Sequence, residues 1–170
     1  MFVIPNFGLS IRDGFIFLVS LSIILTSITF FNVNDPNQNH KEIKERENAL
    51  SSSEYIELYL NRFVHWFSNS IILLFPYIFK PNLVLYIIYE VYLVIVFYLW
   101  YLVIQCPISI HEKRILFNEK NKFTVDSNNP LQVYISLVMP EQIFILIFRT
   151  VYIINVSLVT LWLIQYVLQK

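Results

Sequence analysis

Glu57, Asn61, His65 and Asn69 recur every fourth residue, with Ser68 beside them. On a helix that spacing stacks them along one face. Further on, Arg149 is followed by Tyr152 and Asn155, one and two turns away. An imidazole, two amides, a phenol and a guanidinium brought together could relay a proton, hold an ion or grip a lipid head group. The same groups could equally form an interhelical hydrogen-bond network, at about 0.6 kcal/mol per bond in a membrane. Asn61, His65, Asn69, Arg149 and Tyr152 are therefore a candidate intramembrane polar cluster. Glu90 stands inside an apolar run as a candidate buried carboxylate, either a proton or cation site or a paired, hydrated acid. Membrane haem is bound through histidine pairs, and no second apolar run offers a partner to His65.

A different pattern closes the third apolar run: Cys106-Pro107-Ile108-Ser109-Ile110-His111-Glu112. Pro107 cannot continue helix hydrogen bonding and disfavours helical geometry at Cys106. Ser109-x-x-Glu112 matches a capping box, so the motif predicts a helix, a sharp corner and a new helix along the membrane surface. Cys106, Pro107, Ser109 and Glu112 are the residues of that corner. Cys106 is read as a packed side chain, with palmitoylation at a juxtamembrane position as the alternative.

The elements that must position these groups are four long apolar runs at about residues 15–33, 58–79, 83–104 and 143–168. Each is long enough to cross a hydrocarbon core about 30 Å thick at 1.5 Å rise per residue. The expected fold is all-α: one polytopic membrane domain over 1–170, with four transmembrane helices and a short interfacial helix after the third. Composition agrees, being 56% hydrophobic and 14% charged, against about 25% charged in soluble domains. Zero net charge gives nucleic acid no electrostatic footprint. A single cysteine excludes an internal disulfide and a CxxC pair. The first run is longer than a signal-peptide core and is followed by no small-x-small cleavage site, so it reads as a retained span. The skew toward Phe, Tyr, Ile, Asn and Lys, with Ala49 the single alanine, suggests an AT-rich genome.

Four spans put both termini on one side. That side carries Arg12, Lys80 and Lys170; the loops opposite carry Lys41, Lys44, Arg46, Arg62, Lys113, Arg114, Lys120 and Lys122. The positive-inside rule then places loops 34–53 and 105–142 in the cytoplasm. The KEIKEREN run in the first loop reads as a short exposed helix or a solvated loop. Ser51-x-x-Glu54 is a capping box that starts the second helix near Ser52, and Pro81-Asn82 turns it into the third as an antiparallel hairpin. Segment 131–139 is too short to span and reads as interfacial, and Pro140 suits the first position of the last helix.

Arg62-Phe63-Val64-His65, the Pro81 turn, Trp100 and Cys106-Pro-Ile-Ser-x-x-Glu112 together resemble a pattern in uncharacterised small multi-pass membrane proteins of large DNA viruses. In those, R-x-x-H begins one span, and a Trp and C-x-[IL]-[ST]-x-x-E close the next. A similar C-P-L-T-x-x-E occurs in an uncharacterised bacterial membrane family. The likeness covers about residues 60–115. It departs at Leu99-Trp100, where the viral pattern has His-Trp, and at 102–104, which are apolar here. The resemblance implies a viral or protist integral membrane protein and no particular activity.

The sequence carries no G-x-S-x-G, H-E-x-x-H or P-loop. The expectation is a non-enzymatic protein with no catalytic, cofactor or metal residues, whose partners are the lipid bilayer and other membrane proteins or itself. Its expected role is structural or in assembly, in a host or virion membrane. The alternatives are an accessory subunit of a protist organellar complex, for instance in the mitochondrial inner membrane, and a small proton or ion conductor using Glu90, His65 and Arg149.

Overall fold

Helices begin where a short polar side chain can take over the first unpaired N–H groups. The computed structural model describes residues 4, 6–30, 38–103, 106–117 and 141–169. They form α1 (Ile11–Phe30), α2 (Gln38–Ala49), α3 (Ser52–Ile78), α4 (Leu83–Val103), α5 (Pro107–Phe117) and α6 (Glu141–Leu168). Ser10 caps α1 by accepting from the Asp13 N–H at 3.1 Å. Ser51 and Glu54 form the expected capping box on α3, with the Ser51 N–H donating to Glu54 Oε2 at 2.9 Å. Asn82 caps α4, accepting from the N–H groups of Val84 and Leu85. The KEIKEREN run is helical as part of α2, but Ile43 and Glu47 are buried. Segment 131–139 and Pro140 lie outside the described residues.

The chain is all-helical among the described residues, and each of the four apolar runs forms a helix. Two stretches are long and apolar enough to cross a membrane, Ile11–Phe30 and Leu146–Leu168. Of the four spans expected, these two meet the length and hydropathy that a crossing needs. α3 carries Glu54, Glu57, Arg62 and His65 in its first half, and the apolar stretch Leu83–Leu99 of α4 is shorter.

α1 runs antiparallel to α3: Gly14 lies against Phe79, and the Phe30 ring is 5.0 Å from Tyr55 and 5.7 Å from Tyr59. The buried face of α1 is Gly14, Leu18, Ser22, Thr26 and Thr29. Small side chains let the two backbones approach. The hydroxyls of Ser22, Thr26 and Thr29 donate to carbonyls one turn back on their own helix, so they need no partner across the interface. At Gly14 the approach is closest, since a Cβ there would stand 2.4 Å from the Phe79 ring. Gly14→Ala should therefore lower the thermal midpoint in detergent by the equivalent of about 1–3 kcal/mol, despite alanine's better helix propensity. Adding Phe79→Leu should recover part of the loss; a rise in midpoint for Gly14→Ala alone would contradict the contact.

The α3–α4 hairpin is held by three tyrosines. The hydroxyls of Tyr86, Tyr89 and Tyr92, spaced by three on α4, donate to the carbonyls of Pro76, Ile72 and Ser68, spaced by four on α3. Tyr89 also stacks on Phe75 at 4.6 Å. α6 completes the bundle. Tyr152 donates to Leu93 O at 2.9 Å, Thr160 to Glu90 Oε1 at 2.7 Å, and Trp162 packs on Tyr86, so α6 is antiparallel to α4. Successive long helices thus alternate in direction, and α2 and α5 share the end where α3 begins. At the other end the N-terminal segment satisfies the last carbonyls of α3: Phe7 N–H donates to Tyr77 O and Leu9 N–H to Ile78 O.

Candidate functional site

Where α1 ends and α3 begins, an arginine is fully enclosed. Arg62 is ten residues into α3, and its side chain has no exposed surface. Its Nε is 2.6 Å from Glu112 Oε1 on α5, and its Nη2 is 2.6 Å from Glu47 Oε1 on α2. The guanidinium carbon lies 4.6 Å from the centre of the Phe30 ring at the end of α1. Lys44 closes the circuit, 2.9 Å from Glu47 Oε2 and donating to Thr29 O at 3.2 Å. Two cations and two carboxylates join four helices with formal neutrality.

Local sequence explains why these charges meet. Ile43 and Glu47 are four apart on α2, Leu58 and Arg62 four apart on α3, Glu112 and Leu116 four apart on α5. Each helix thus offers one aliphatic and one charged residue on the same face. Ile43, Leu58 and Leu116 make a small buried core, edged by Phe30, Leu50, Ile115 and Phe117. Beside it the Asn61 amide donates to Ile108 O at 3.0 Å, tying α3 to the first turn of α5. An outer rim adds His111 with Glu57 at 3.0 Å and Arg46 over the Phe117 ring.

Burial pushes the Glu112 carboxyl up; Arg62 beside it pulls it back, and Glu47 pushes it further up. Two opposing guanidinium contacts on one Arg are possible because its donors form a rigid fork. Arg62 and Glu112 are sealed from solvent. What the cluster can do is fix α2 and α5 to α3.

The structure places the five residues of the candidate polar cluster against different neighbours. Asn61 reaches α5. His65 and Asn69 are buried in α3, and His65 Nδ1 has no hydrogen-bond partner among the described residues. Tyr152 is bonded to α4. Arg149 is exposed on α6. Glu90 is half-buried and takes the Thr160 hydroxyl.

At the corner, Cys106 is a free, partly exposed thiol whose carbonyl accepts from Ile110 N–H at 3.1 Å. The capping box at Ser109 and Glu112 is corrected. Pro107 is the first residue of α5, its fixed φ suiting that position, so Ser109 lies inside the helix and is buried. Glu112 turns to Arg62 instead of back to the helix start.

Arg62, Glu47 and Lys44 were not among the candidate residues, because the sequence counts them as loop cations and a loop acid. The available signal was that Arg62 and Glu112 stand at the two ends of the R-x-x-H and C-P-I-S-x-x-E pattern. Among the described residues no three of His, Cys, Asp and Glu are placed to hold a metal ion. Comparison with protein families, curated proteins and solved structures finds no match to this chain.

Proposed function

We propose that this chain is a four-helix integral membrane protein with a structural or assembly role and no catalytic one. The observation that carries it is the direction in which polar and apolar groups face. Of the two spanning stretches, only 28% and 17% of the residues are buried within the molecule. Ile16, Ile24, Ile87, Val94, Leu146, Ile153 and Ile164 are among the exposed aliphatics of α1, α4 and α6. Apolar surface on that scale requires a lipid or protein cover. Several polar groups point the other way: Asn61, Arg62, Tyr86, Tyr89, Tyr152 and Asn155 reach carbonyls or ions of neighbouring helices. They hold the bundle together.

The alternating helix directions support α3 and α4 as the two middle spans, with α2 and α5 on the cytoplasmic side. The resemblance to viral membrane proteins supports a viral or virus-modified membrane as the setting. Arg62 and Glu112 give that pattern a physical content: its two ends are partners in one ion cluster, so the pattern describes how the helices are joined rather than a reaction.

Cysteine-accessibility scanning on a Cys106→Ser background tests the topology. Solvent-facing positions in 34–53 and 113–128 should label from the cytosolic side only, and Lys170→Cys from the opposite side. Labelling of Lys170→Cys from the cytosol breaks the four-span arrangement. Presence of the protein in purified virions tests the setting, and its absence there removes the viral part of the reading.

A further inference from the structure

Arg149 is the single charged residue in the apolar stretch Leu146–Leu168, and its side chain is exposed. Its neighbours on α6, Leu146, Ile147 and Ile153, are exposed aliphatics. It makes no ion pair or hydrogen bond among the described residues. The carboxylates of Glu47, Glu57 and Glu112 at this end are engaged by Arg62, Lys44 and His111. We propose that Arg149 binds the phosphate of an anionic phospholipid in the leaflet facing α2 and α5. The proposal rests on the membrane reading above.

Depth is the first argument. Arg149 is six residues past Ile143, where the apolar run begins, about 9 Å along the helix at 1.5 Å per residue. Helical side chains lean toward the N-terminus, which for α6 is the α2 and α5 end. The long aliphatic stem lets the guanidinium snorkel back over the first turns to the phosphate layer. Chemistry is the second. A guanidinium offers paired donors that match two phosphate oxygens, whereas an ammonium meets them as a point charge. Orientation is the third: an outward-facing cation on a lipid-facing helix, with no ion pair among the described residues, is turned toward the head-group layer.

The test is retention of lipid on purification from vesicles of equimolar phosphatidylcholine and phosphatidylglycerol, read by native mass spectrometry. Wild type should retain phosphatidylglycerol preferentially. Arg149→Gln should lose about fivefold of that preference, the worth of one cation at an anionic surface. Arg149→Lys should keep part of it. Equal preference in wild type and Arg149→Gln would mean that the side chain only reaches water. Loss of the wild-type preference in inorganic phosphate buffer would make this a site for a soluble anion and overturn the lipid assignment. Alkaline carbonate extraction separates the two levels. A chain stripped from vesicles sinks the membrane reading and this one with it; a chain that stays but shows no preference sinks this one alone.

Discussion

Arg62→Leu should cost about 3–5 kcal/mol, seen as a large fall in the unfolding midpoint in detergent, because it leaves Glu112 buried without its cation and Glu47 with Lys44 alone. Arg62→Lys should recover little of this. One ammonium cannot hold Glu112 Oε1 and Glu47 Oε1 in the way that Nε and Nη2 do, each at 2.6 Å. The informative variant removes the charges together. Arg62→Met with Lys44→Met, Glu47→Leu and Glu112→Met should return close to wild-type stability, since well-packed apolar groups often replace a buried ion cluster without loss. If Arg62→Leu alone falls by less than about 1 kcal/mol, the cluster is not what fastens α2 and α5.

The second large effect centres on a backbone atom. Pro76 has no N–H, so the Ile72 carbonyl loses its donor within α3. Two side chains replace it: Tyr89 Oη from α4 and Asn155 Nδ2 from α6, both at 2.7 Å. Asn155 reaches Leu73 O as well, at 3.1 Å. Tyr89→Phe or Asn155→Leu alone should cost about 0.6 kcal/mol each, because the other donor remains. The double variant should lose several kcal/mol, roughly the penalty for an orphaned carbonyl in hydrocarbon. Pro76→Ala restores the native N–H and should rescue the double variant while doing little for wild type. A double-mutant cycle measured by SDS unfolding reads this directly. No rescue by Pro76→Ala would mean that the two side chains matter through packing alone.

Element positions were legible because they depend on local signals. Long apolar runs, the Ser51 and Glu54 box and the Pro81-Asn82 turn each act within a few residues, and the helices lie where those signals put them. The partners were not legible, for three different reasons. Arg62 is a cation that follows a charged loop, and nothing in one dimension distinguishes a solvated arginine from one enclosed by α2 and α5. The Ile72 carbonyl has no letter of its own, so the target of Asn155 was invisible even though Pro76 was not. Ser109 and Glu112 satisfied a local rule that lost to a competing one, the start of α5 at Pro107 together with the pull of Arg62. Residues four apart along α3 meet different neighbours along its length: Asn61 reaches α5, while His65 and Asn69 are buried further along the helix.

The two donors to Ile72 O lie 17 and 83 residues further along the chain. During synthesis the ribosome completes α4 well before α6. On the membrane reading proposed above, the hairpin can leave the translocon with the Ile72 carbonyl already covered by Tyr89. Asn155 arrives last, on α6. An early-inserted intermediate is thus protected by one bond, and the finished protein by two. On the same reading, a truncated chain ending before 141 should still insert α1, α3 and α4, yet remain more readily reversed than the full-length protein, because the contact that closes the bundle is also the final one to be synthesised.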